Sequence, residues 1–101
     1  MLCLPIGNFE IGDEAIWAKS PTQALRELSP EHPVTTADDY GAINIWIDNS
    51  LYVAEFHQYC VVKETIQTYK KKELRNFLLK VWPIMKGETK YEPSLFGRTL
   101  D

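Results

Sequence analysis

Cys60, with His57 or His32 as its base, is the one pairing in the chain that could supply an activated nucleophile. A thiol attacks well only when an imidazole can take its proton, so both side chains must reach the same side. Three residues apart in an extended strand, His57 and Cys60 point to opposite faces. Cys60 therefore reads as a small buried hydrophobe in the run Cys60-Val61-Val62. Glu55 and His57 share a strand face, but a carboxylate–imidazole pair without a nucleophile or a cleft reads as a surface contact. Metal chemistry fares no better. Two Cys and two His at positions 3, 32, 57 and 60 repeat no zinc spacing. Glu31, Asp38 and Asp39 lack the alternating ligands and glycine of a calcium loop. Gly7, Gly12, Gly41, Gly87 and Gly97 are isolated, so no phosphate-cradling loop forms and no cofactor is expected. The residue types point away from an enzyme.

Binding residues are easier to find. Lys70-Lys71-Lys72, backed by Arg75, stand where the last helix is predicted to begin. Cations there oppose the helix dipole, and a helix N-terminus favours anions. These four residues could hold a phosphate backbone or an acidic protein surface. Trp46 and Val53 fall on the predicted wet face of a hairpin, and Tyr91 and Phe96 make the C-terminal tail too apolar for a tag. Aromatic residues at exposed positions are typical interface anchors.

The elements that would position these residues follow from periodicity. Ile43, Ile45 and Ile47 alternate with Asn44, Trp46 and Asp48; Tyr52, Ala54 and Phe56 alternate with Leu51, Val53 and Glu55. A two-residue turn at Asn49-Ser50 sets Ile47 opposite Tyr52, Ile45 opposite Ala54 and Ile43 opposite Phe56, all on one face. The other face collects Asn44, Trp46, Val53, Glu55 and His57, a mixture suited to water. The β-branched stretch from Cys60 to Thr68 predicts a third strand, with a helix running on from Val61 as its rival. Leu74, Phe77, Leu78, Val81 and Trp82 recur at i, i+3, i+4, i+7 and i+8, the stripe of an amphipathic helix that Pro83 should end or kink. Burying those five side chains contributes about 8–15 kcal/mol before entropy is charged. Upstream, Ser20-Pro21-Thr22-Gln23 is a capping box that opens a two-turn helix stopped at Ser29-Pro30. Residues 30–40 read as a surface loop, and residues 9–18 as a hairpin about Gly12-Asp13.

From Ser20 onward the predicted order is α-β-β-β-α with Lys70, Lys71 and Lys72 opening the last helix. That order resembles a double-stranded-RNA-binding domain, and the resemblance implies that these lysines contact phosphates across a groove. The turn at Asn49-Ser50 is tighter than the loop that such domains send into the minor groove.

With 101 residues there is room for a single domain spanning 1–101, whose tail from residue 87 is docked or held out for a partner. The charge is split: residues 1–50 carry eight acids against two bases, a net −6, and residues 51–101 carry six acids against nine bases, a net +3. Two cysteines make no disulfide framework, the N-terminus lacks a basic, apolar leader, and no apolar run would cross a membrane. The expectation is a cytoplasmic α+β domain, an antiparallel sheet of three to five strands under a C-terminal helix, with a short N-terminal helix. Its expected role is a non-catalytic protein-binding, accessory or inhibitor module; nucleic-acid binding is the alternative. An exposed edge strand also allows a homodimer.

Overall fold

The computed structural model describes residues 15–91. Within them the chain forms α1 (Pro21–Glu27), α2 (Lys71–Lys86) and five strands, β1 (Ile16–Trp17), β2 (Val34–Asp38), β3 (Gly41–Asp48), β4 (Leu51–Gln58) and β5 (Val61–Thr68). The strands make one sheet in sequence order, antiparallel throughout except for the parallel pair β1–β2. The fold is α+β.

The central hairpin has the register that its alternation demands. Ile43 faces Phe56, Ile45 faces Ala54 and Ile47 faces Tyr52. Asn49 and Ser50 have φ of 52° and 71°, the left-handed pair of a two-residue turn whose twist matches its strands. Ile43, Ile45, Ala54 and Phe56 are wholly buried in one cluster with Leu74, Leu78, Val81 and Trp82 of α2. One helix therefore roofs one face of the sheet. The rival helical reading of residues 60–69 is excluded, since Val61–Thr68 is strand.

Ser20 caps α1 as its sequence requires. Its hydroxyl accepts from the Gln23 amide at 3.1 Å, Gln23 Oε1 accepts from the Lys19 amide at 2.8 Å, and Pro21 takes the first turn, where a missing donor costs nothing. The helix ends at Glu27, ahead of Ser29-Pro30.

Three expectations are corrected. Residues 34–38, read as loop, are strand β2, and Val34, Thr35 and Thr36 are buried. Four strands thus lie between the helices, and the α-β-β-β-α order, with its likeness to a double-stranded-RNA-binding domain, does not hold. Ile16 and Trp17 pair in parallel with Val34 and Thr35; the hairpin expected about Gly12-Asp13 rests on residues 9–14, which lie outside the described residues. Pro83 neither ends nor breaks α2, which runs on to Lys86 and a left-handed cap at Gly87. Beyond the proline Ile84 and Met85 are buried, and their packing offsets the lost backbone bond. Finally, the second face of the hairpin is not wet: Asn44, Val53, Glu55 and His57 are all buried.

Candidate functional site

That second face carries a polar row across the sheet. The register aligns Thr35 with Asn44 and Asn44 with Glu55. The Thr35 hydroxyl donates to Asn44 Oδ1 at 2.8 Å, and His57 Nε2 lies 3.1 Å from Glu55 Oε1 and 3.5 Å from Asn44 Nδ2. A proton on Nε2 suits the carboxylate. These groups exchange water for one another, which is why a face with such side chains can be buried. The row is built of two hydrogen-bonded pairs, Thr35 with Asn44 between β2 and β3 and Glu55 with His57 within β4.

Cys60 is placed differently from its reading as a core residue. It is exposed in the two-residue turn between β4 and β5 and is disulfide-bonded. The chain's other cysteine, Cys3, lies outside the described residues. A bridged sulfur has no thiol to activate, so a Cys60–His57 nucleophile is not assembled.

The turn that holds Cys60 is conformationally unusual. Tyr59 and Cys60 have φ of 54° and 65°. The left-handed region suits glycine and asparagine; a bulky tyrosine there costs of order 1–3 kcal/mol unless its surroundings fix it. The Tyr59 side chain is 73% exposed, so burial does not repay that strain. The β2–β3 turn, with Tyr40 half-exposed, lies at the same end of the sheet. Tyr40 is tied down on both sides: its amide donates to Met85 O at 3.0 Å, and its carbonyl accepts from Gln58 Nε2 at 2.9 Å. Its ring lies against Gly87, where φ is 84° and an added Cβ would collide with it. Between the two turns and the end of α2 opens a depression of about 830 Å³, walled by Tyr40, Tyr59 and Tyr91 and floored in part by Ile84.

Tyr91 closes the side of that depression. Its ring packs on Phe56, with centroids 6.1 Å apart, and its hydroxyl donates to Glu64 Oε2 at 2.7 Å. The same hydroxyl lies 3.2 Å from the Lys63 carbonyl. Burial of the phenol, and then the hydrogen bond and charge of Glu64, push its pKa up to about 12. The tail is thus docked as far as Tyr91.

The remaining sequence-predicted site residues divide in three. Val53 is buried and Trp46 is partly buried, so they do not make the exposed patch expected of them. Phe96 lies outside the described residues. Lys70, Lys71, Lys72 and Arg75 are exposed where α2 begins, at the opposite end of the sheet from Tyr40 and Tyr59. Tyr69, 71% exposed, stands beside them. Sequence reading passed over Tyr40 and Tyr59 because an aromatic in a turn has no periodic neighbours to mark its face. The signal that remained was a hydrophobic residue just past the end of a strong alternation. Among the described residues no three His, Cys, Asp or Glu side chains gather as metal ligands, and no helix is long and apolar enough to cross a membrane. Set beside known proteins, the chain matches no family model, no curated relative and no solved structure.

Proposed function

We propose that this chain is a small non-catalytic protein-binding module, an accessory or inhibitor protein, and that it meets its partner with the end of the sheet bearing Tyr40 and Tyr59. The observation that carries this reading is Tyr59, exposed on a left-handed backbone at the rim of an aromatic-walled depression. Strain held at a surface turn together with a solvent-facing ring suits an anchor residue. The test is affinity capture from the native host with the wild-type chain and with Tyr59→Ala and Tyr40→Ala variants. A partner retained by the wild type and lost by a variant of unchanged melting temperature supports the reading. A partner held equally by all three contradicts it.

A second reading uses the other end. Exposed Tyr69 beside Lys70, Lys71, Lys72 and Arg75 combines a stacking ring with phosphate-binding charge, as single-strand nucleic-acid sites do. It requires binding that falls steeply with salt and is abolished by Lys70, Lys71 and Lys72→Glu. The disulfide at Cys60 weighs against the cytoplasmic expectation and favours an oxidising compartment. Thiol titration of the chain isolated without reductant checks this; free thiol would restore the cytoplasmic reading.

A further inference from the structure

Among the described residues β5 is the long unpaired edge of the sheet. It has eight residues, against two in β1 at the other edge, and among the described residues no strand pairs with its outer side. Val61, Val62, Thr65, Ile66 and Thr68 favour extended backbone, and no proline interrupts them. Unpaired N–H and C=O groups along such an edge recruit another strand. One end is blunted. The register shifts where β4 passes from Phe56 to His57, opposite Lys63, and the Lys63 carbonyl faces the Tyr91 hydroxyl. What remains regular is Glu64–Thr68, with Thr65 and Gln67 exposed on one face and Glu64, Ile66 and Thr68 on the other.

We propose that Glu64–Thr68 pairs antiparallel with the same stretch of a second copy of this chain, joining the two sheets into one. A two-fold axis normal to the sheet keeps both α2 helices on the same side, so facing residues must share a face. Three registers that pair three or more residues of the stretch meet that condition. One, centred on Thr65, sets Thr65 against Thr65 and Glu64 against Ile66. A second, centred on Ile66, sets Ile66 against Ile66, Thr65 against Gln67 and Glu64 against Thr68. The third, centred on Gln67, sets Gln67 against Gln67 and Ile66 against Thr68. Glu64 is the one charged residue of the stretch, and in none of the three does it face its own copy. Matched β-branched pairs across strands are favourable, and like charges directly opposed are not. The stretch is therefore complementary to itself, which is the ground for a second copy over an unrelated peptide.

The test places like charges on that edge. Thr65→Lys with Gln67→Lys sets lysines against each other in all three registers. Thr65 and Gln67 are exposed, and Glu55 beside Thr65 in β4 tolerates a cation. Light scattering from about 1 μM to about 1 mM spans dissociation constants of that range. The wild type shifts from monomer to dimer across it. The double variant weakens the dimer about tenfold or more, as a few opposed charges at up to about 1 kcal/mol each require. Its melting temperature at low concentration is unchanged, and Leu79→Lys on the exposed side of α2 leaves the dimer intact. A wild type that stays monomeric, a double variant that dimerises as before, or dissociation by Leu79→Lys overturns the proposal.

Discussion

Gly87 is held in place by backbone conformation and contact together. Its φ of 84° closes α2 in the left-handed region, and its amide donates to Ile84 O at 3.0 Å. The Tyr40 ring occupies the space a Cβ would need. Gly87→Ala is expected to cost about 1–3 kcal/mol from backbone strain alone, read as a lower midpoint in urea unfolding. It should also displace Tyr40 and weaken partner capture. Tyr91 gives a second residue-scale prediction, in pH. Its folded pKa is raised to about 12 from an unfolded value of 10.0. A raised pKa means that the folded chain holds the proton more tightly. The contribution is therefore complete below pH 10.0 and is lost as pH rises toward about 12. Tyr91→Phe should remove a tyrosinate absorbance step near pH 12 and flatten stability over that window. A step that survives in the variant belongs to another tyrosine.

At the scale of elements, residues with a repeating context are readable from sequence and residues without one are not. α2 is marked by five apolar residues at helical spacing, all buried, and one of its central positions offers a direct test. Leu78 is wholly enclosed against the isoleucine face, so Leu78→Ala should cost about 2–5 kcal/mol in denaturant unfolding. A loss below about 1 kcal/mol would mean that the helix does not roof the sheet. The hairpin was legible to the residue because alternation, turn length and pairing each imposed the same register. β2 was not. Val34-Thr35-Thr36-Ala37 is short, preceded by Pro33 and followed by Asp38-Asp39, and its two adjacent threonines break the alternation that marks a strand. Its strand character comes from pairing with β3, which local pattern does not record. Pro83, expected to end or kink α2, does not end it, for a similar reason: the burial of Ile84 and Met85 outweighs local propensity. Of the candidate interface, the lysine cluster was visible as a charge run. The tyrosine end was hidden because it is assembled from two turns and a helix terminus remote in sequence.

At the scale of the whole molecule, the two ends of the sheet differ in chemistry. One gathers Tyr40, Tyr59 and Tyr91 around a depression; the other presents Tyr69 with Lys70, Lys71, Lys72 and Arg75. Between them, α2 covers one sheet face, and a hydrogen-bonded polar row lies buried on the other. Such a molecule presents its contacts from its ends and its edge, and among the described residues the tyrosine end combines strain, exposed rings and concavity. A photo-reactive phenylalanine analogue placed at Tyr59 or at Tyr69, and irradiated in the native host, discriminates between the two ends most directly. The account predicts a discrete covalent adduct to a partner protein from position 59 and none from position 69. An adduct to protein or nucleic acid from position 69 alone would contradict it.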